Sequence, residues 1–315
     1  MKQKLFNEFE AVSEKAWKQK IQYDLKGADY NDTLVWESPE GIKVKPFYHS
    51  DSMPKTESVC SALEHSWSIG QEIYAGNATL ANKRAIKSLK SGVERLQFVI
   101  PSKTIVIGDV LKKIDLETTT VYLKMEFLSV DYVQSVLEFV KGHENSVYFN
   151  VDVIGNLARS GNWYQSLEGD HKALDALLKT KAVHFLSVDV SLYENAGATM
   201  VQQLGYAMAH ANEYLNYLDQ RNSLGQIKSI VFNVAVGGNY FFEIAKLRAL
   251  RVLWEKLLSV YEVQLDCHIV AYPSKRNKTL YDYNVNMLRT TTECMSAVLG
   301  GANTVINMPN RDQFT

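Results

Sequence analysis

The sequence predicts an α/β fold, a (β/α)8 TIM barrel with an N-terminal extended arm, and three observations predict it. Strand-like and helix-like stretches alternate strictly from Ser66 onward, and the strand-like stretches number eight. The clearest unit is Ser229 to Val263: Ile230-Val231-Phe232-Asn233-Val234-Ala235-Val236 is an almost unbroken β-favouring apolar run, as in a parallel strand covered on both faces. Gly237-Gly238 break that run, and behind them Ile244, Leu247, Leu250, Trp254, Leu257 and Tyr261 share one helical face, with Arg248, Arg251 and Glu255 on the other. Alternation implies right-handed crossovers and a parallel sheet, and eight strands close a barrel. An open doubly wound sheet is the alternative. Against it, no Gly-x-Gly-x-x-Gly turn follows the first strand, where Asn77-Ala78-Thr79 succeeds Gly76.

The elements follow in order. Residues 1–64 read as the arm and 65–315 as the barrel. In the arm, Ser13 caps a short helix carrying Trp17, Ile21 and Leu25, with Gly27 at its C′ position. Pro39, Pro46 and Pro54 then divide a segment of mixed polarity, and Trp17, Trp36, Phe47 and Tyr48 need cover from the barrel or a partner. The expected strands are Trp67 to Ile73, Leu96 to Ile100, Val121 to Phe127, Val147 to Val153, His184 to Val190, Ile230 to Val236, Leu265 to Ala271 and Thr304 to Met308. Helices are expected at Ala78 to Leu89, Ile105 to Ile114, Val130 to Val140, His171 to Thr180, Thr199 to Leu218, Tyr240 to Val260 (capped by Asn239) and Tyr283 to Leu299. After the last strand, Pro309 to Thr315 leave no room for an eighth helix, which needs about eleven residues. The expectation is a barrel truncated after strand eight, capped by something else or a fragment.

Composition narrows the function classes. A chain of 315 residues, 46% hydrophobic with net charge −1, reads as soluble and globular and lacks the basic field of a nucleic-acid binder. Met1 to Glu8 contains no apolar leader core, and no run is long enough for a membrane span. Cys60, Cys267 and Cys294 have no paired spacing and sit in apolar surroundings, which suits buried thiols and a cytoplasmic location.

In a barrel, chemistry belongs to the loops after the strands. Gly237-Gly238 lie in such a loop, before a helix N-terminus that could hold an anion, although a plain tight turn is the simpler reading. Ser274-Lys275-Arg276-Asn277-Lys278 bring three cations to the same face, for phosphates or for solvent. Gly300-Gly301 fall at the opposite end and read as a helix stop. The seven histidines show no His-x-x-x-His and the cysteines no Cys-x-x-Cys, so no metal site is expected. Asp266-Cys267-His268 opens like the Asp-x-His-x-x-Gly sequence that supplies a lower axial histidine to cobalamin, but Ala271 replaces the glycine and the segment reads as strand.

Several segments do resemble a known family. Tyr240-Phe241-Phe242-Glu243-Ile244-Ala245-Lys246-Leu247-Arg248-Ala249 with Arg251 and Leu253-Trp254 is similar to the barrel of the adenosylcobalamin-dependent acyl-CoA mutases. So are Tyr74-Ala75-Gly76, Glu194-Asn195-Ala196-Gly197-Ala198, Tyr283-Asn284, Leu288-Arg289-Thr290 and Ala297-Val298-Leu299-Gly300-Gly301. Asp24-Leu25-Lys26-Gly27-Ala28-Asp29 and Glu40-Gly41-Ile42-Lys43-Val44-Lys45-Pro46-Phe47-Tyr48 are especially similar to the small (β) subunits of the methylmalonyl-CoA mutase family.

That resemblance implies a divided site. Tyr74 falls on a tyrosine that lies over the substrate, and Glu293 on a glutamate near the corrin ring. The catalytic histidine is matched by Leu192, the glutamate three places on by Asn195, and a substrate-facing glutamine by Asn150. Of the family's Arg-x-His-x-Gln-x-x-Gly, matched by Asp266, His268, Val270 and Pro273, only His268 survives. Leucine cannot replace an imidazole that hydrogen-bonds a thioester carbonyl. The resemblance therefore implies no catalytic residue here; Tyr74, Asn150 and His268 are the substrate-side candidates, and Glu293 and Asn195 the cofactor-side ones. It further implies that the C-terminal cobalamin-binding domain is absent and that adenosylcobalamin belongs to the holoenzyme rather than to this chain alone. The implied partner is a large catalytic mutase subunit, with a homodimer of the truncated chain also open. The barrel mouth is expected to be narrowed by Leu192 and Tyr193. A divergent active barrel, with its cobalamin domain on another chain, and an unrelated barrel lyase or isomerase are the alternatives.

Overall fold

In a computed structural model describing residues 8–52 and 66–307, the chain divides into two compact units, 1–59 and 60–315. In the first, α1 (Glu14–Asp24) begins where the Ser13 side chain accepts from the Ala16 amide, as expected. It ends through Leu25, Lys26 at φ 51° and Gly27 at φ 98°, so the left-handed turn starts one residue before the glycine. Asp29 caps the short α2 (Tyr30–Leu34), and β1 (Trp36–Glu37) pairs antiparallel with β2 (Lys43–Val44). Trp17 packs on Phe47 with ring centroids 5.7 Å apart.

The second unit repeats strand and helix. Its elements are β3 (Ser68–Tyr74), α3 (Ala78–Lys90), β4 (Arg95–Ile100), α4 (Ile107–Val110), β5 (Thr120–Met125), α5 (Val130–Phe139), β6 (Val147–Tyr148), α6 (Val153–Ser160) and α7 (Leu167–Leu178). There follow β7 (Ser187–Asp189), α8 (Ser191–Asn195), α9 (Met200–Asp219), β8 (Ser229–Val236), α10 (Tyr240–Val260), β9 (Asp266–Pro273), α11 (Tyr283–Gly300) and β10 (Thr304–Ile306). All eight strands are parallel, in the order β6-β5-β4-β3-β10-β9-β8-β7. The ends of that order meet where the Phe149 amide donates to His184 O (2.8 Å), the Val151 amide to Phe185 O (2.8 Å) and the Ser187 amide to Val151 O (2.9 Å), so the sheet curls into the expected barrel.

Residues of β8 are buried along its whole length because both its faces are covered: Ile230, Phe232, Val234 and Val236 join the core under the helices, while Val231 joins Val270, Ile306 and Tyr122 inside the barrel. Against this core α10 buries Leu247, Leu250, Trp254 and Leu258, so the buried stripe continues through Leu258 rather than Leu257. Arg251, placed by the sequence on the polar face, instead donates to Cys267 O (2.8 Å), Gly301 O (2.6 Å) and Asn303 Oδ1 (2.8 Å) below α11. Gly301 stops α11 at φ 90°, as expected of Gly300-Gly301. Met308 and the residues after it, like Cys60, lie outside the described residues.

Two stretches differ from expectation. The helix expected over Ile105 to Ile114 is the single turn α4, since Val106 offers no side-chain cap, Gly108 weakens the interior, and Lys113 turns left-handed at φ 62°. The strand expected through Val153 stops early because the buried Asp152 accepts from the Gly155 amide (2.8 Å) and starts α6, which Gly161 ends at φ 74°. No helix among the described residues is long and apolar enough to cross a membrane.

Candidate functional site at the barrel mouth

The strands' C-terminal ends surround a cavity of about 420 Å³, walled by Lys124 of β5, Arg159 of α6, Asp189 of β7, Leu192 and Asn195 of α8, and Lys275 beyond β9. Asp189 Oδ2 lies 2.7 Å from Arg159 Nη2 and 3.8 Å from Lys124 Nζ, and Oδ1 accepts from Ser191 Oγ at 2.5 Å. One carboxylate thus ties three elements across the opening.

Side chains close the cavity below. Tyr272 Oη is 2.5 Å from Gln97 Oε1 and 3.0 Å from Asn233 Oδ1, while Gln97 Nε2 donates to Glu72 Oε2 at 2.5 Å. A second tier lies four residues lower on β9, or about 13 Å at the usual strand rise. There Tyr122 Oη is 2.8 Å from both His268 Nε2 and Thr304 Oγ1, and Arg95 Nη1 donates to Tyr122 Oη (3.0 Å) and Thr304 Oγ1 (2.9 Å). The Tyr148 ring stacks on His184 at 4.3 Å and lies 4.7 Å from His268, and His184 Nδ1 meets Ser229 Oγ at 2.7 Å. Burial, with nearby Lys228, pushes His184 down to about 4; burial, with Arg95, pushes His268 down to about 3. Both imidazoles are neutral at pH 7, and two tiers of bonded side chains fill the barrel axis.

The residues singled out from sequence are only partly brought together. Leu192 and Asn195 share the mouth wall. Tyr193 turns away, toward Tyr206 (ring centroids 4.9 Å apart) and His210, so Leu192 alone of the expected pair narrows the opening. Tyr74 ends β3 and is exposed. Asn150 is buried in the wall, and neither its Oδ1 nor its Nδ2 has a partner among the described residues. His268 belongs to the lower tier, far from the loops.

The cofactor-side candidates are engaged internally. Asn195 donates to Ser191 O (2.9 Å) and accepts from the Lys275 amide (3.0 Å). Glu293 accepts from Asn277 Nδ2 (2.6 Å) and from Lys278 Nζ at both oxygens (2.8 and 2.7 Å). In this arrangement these two side chains do not fit a corrin, because their polar atoms are already bonded within the chain, to the loop after β9 and, for the Asn195 amide nitrogen, to α8. The anion seat at Gly237-Gly238 is likewise filled from within: the Gly237 amide donates to Glu243 Oε1 (2.9 Å), and Glu243 pairs with the buried Lys246 at 2.6 Å. Asn239 stands at the N-cap without a side-chain cap bond. Lys124, Asp189, Arg159 and Tyr272 were missed from sequence; a charge near the C-terminal end of an otherwise apolar strand, as in Val121-Tyr122-Leu123-Lys124, was the available signal.

Comparison with known proteins identifies the family. The family model described as methylmalonyl-CoA mutase matches residues 107–312. The methylmalonyl-CoA mutase small subunit of Porphyromonas gingivalis is 32% identical over 98% of this chain and 54% of its own length. That of Propionibacterium freudenreichii subsp. shermanii is 24% identical over 97% and 53%, and the methylmalonyl-CoA mutase of Cereibacter sphaeroides is 26% identical over 91% and 48%. The chain spans about half the length of these relatives. On the family match and the near-complete coverage by a relative of this identity, the chain belongs to the methylmalonyl-CoA mutase family.

Proposed function

We propose that this chain is the barrel of a small, non-catalytic subunit of methylmalonyl-CoA mutase. It pairs with and stabilises a large subunit that interconverts methylmalonyl-CoA and succinyl-CoA by an adenosylcobalamin radical mechanism, in the cytoplasm. The observation that carries this reading is Leu192, which the sequence resemblance matches to the family's catalytic imidazole, on the mouth wall above a floor closed by Tyr272 and Gln97. A leucine can neither donate to a thioester carbonyl nor hold a proton. The internally bonded Glu293 and Asn195 support placing the cofactor on the partner, and the exposed Trp17, Trp36 and Tyr48 of the arm offer apolar surface for pairing.

A second reading is a divergent active barrel whose cobalamin domain lies on another chain. The polar mouth around Lys124, Asp189 and Arg159 favours it. Titration of adenosylcobalamin into this chain, followed by visible absorption, separates the two: no stoichiometric complex is expected, and a tight one-to-one complex would overturn the first reading. Copurification with a tagged large subunit is expected in parallel, and its consistent failure would reject the pairing.

A further inference from the structure

We infer that residues 274–282, between β9 and α11, form a latched strap that holds the barrel mouth closed, with the Lys278–Glu293 ion pair as its latch. The inference stands apart from the subunit assignment, since it concerns only this barrel's own opening.

The strap contains no helix or strand; side chains of its neighbours hold it at both ends. At its start Ser274 Oγ donates to Glu194 Oε1 (2.7 Å) and the Lys275 amide to Asn195 Oδ1 (3.0 Å), both on α8. At its end α11 provides the grip. Arg289 donates to Asn277 O, while Asn286 accepts from the Thr279 amide (2.9 Å) and donates to Thr279 O (2.7 Å). Between these grips the Lys278 and Glu293 side chains are 1% and 0% exposed. All three ammonium protons have acceptors, Glu293 Oε1, Glu293 Oε2 and Asn277 Oδ1, and the carboxylate has no idle oxygen.

A buried pair of this kind adds little net stability over an apolar pair. Removing one partner, by contrast, strands a charge away from water, so the pair favours one strap position over all others. Burial pushes Glu293 up and Lys278 down, as expected of charges held against their solvation. Lys275 of the strap walls the mouth cavity beside Pro273, the last residue of β9, so strap position and cavity width move together. The cavity of about 420 Å³ is on this account the closed form, and release of Lys278 from Glu293 is the event that widens it.

The test is amide hydrogen exchange with mass spectrometry on the full chain, paired with hydroxyl-radical footprinting of Tyr272. In the wild type, strap peptides are expected to be protected and Tyr272 poorly oxidised. Lys278→Met and Glu293→Gln should each speed strap exchange at least tenfold and raise Tyr272 oxidation severalfold, with α10 peptides unchanged. The exchanged pair Lys278→Glu with Glu293→Lys should restore most of the protection. If Lys278→Met fails to fold, the nearly isosteric Glu293→Gln carries the test. Unprotected strap amides in the wild type, no response to Glu293→Gln, or no recovery in the exchanged pair would each overturn the latch.

Discussion

Acidification from pH 7 to pH 5 is expected to remove about 4 kcal/mol of the barrel's stability through His184 and His268 alone. Both imidazoles are buried in the lower tier, and their folded values, about 4 and about 3, lie below the ordinary 6.5. The unfolded chain therefore binds these two protons first as pH falls. Stability is complete above about 6.5 and is lost downward until the folded values are reached. At pH 5 the unfolded imidazoles are almost fully protonated and the folded ones, at about 4 and about 3, almost fully neutral, so each contributes about 2 kcal/mol. Arg95 and Lys228 face the pair and oppose protonation, while Asp266 favours protonation of His184 without reversing the shift. The assay is urea denaturation followed by circular dichroism at the two pH values, for the wild type and for His184→Gln with His268→Gln. The double variant should lose about 3 to 4 kcal/mol less than the wild type between them. Equal losses would refute the reasoning.

Three further outcomes follow from the packing. Gly300→Ala would place a methyl 2.7 Å from Leu247 Cδ1 and 2.9 Å from its Cβ; a cost of about 1 to 3 kcal/mol is expected in chemical denaturation, and a neutral result would count against the close approach of α10 and α11. Tyr272→Phe leaves Gln97 Oε1 and Asn233 Oδ1 without their hydroxyl and should cost a similar amount, about 1 to 3 kcal/mol. Burial pushes the Cys267 thiol up to about 12, so peptide mapping after iodoacetamide treatment at pH 8 should find it unmodified in native protein and modified in urea. Rapid native labelling would contradict that burial.

Strand positions were largely legible because strands covered on both faces are continuous apolar runs, and Ile230 to Val236 is the plainest. The exceptions are places where a local polar group overrides the pattern: Asp152 converts the end of an apparent strand into a helix cap, a signal that the pairing of Asp152 with Gly161 could have given. The site was less legible, since which strand residues face inward depends on register. Tyr272 reads as one more apolar residue until its hydroxyl is seen between Gln97 and Asn233. Leu192 and Asn195 were found through resemblance, but nothing in the sequence says that Lys278 reaches Glu293, fifteen positions further along the chain through loop and helix.

The junction of β6 and β7 has a consequence for how the molecule comes apart. Elsewhere neighbouring strands share between two register pairs, at β5–β6 and β9–β10, and eight, at β8–β9, whereas this junction rests on the backbone bonds around Phe149, Val151 and Ser187. Together with the three-pair contact of β3 and β10, it divides the barrel into two half-barrels, β3 to β6 and β7 to β10. Chain scission in the turn near Gly161 would thus leave each half with its internal ladders intact. The two pieces, expressed separately, would have only these short margins and the shared core with which to reassemble.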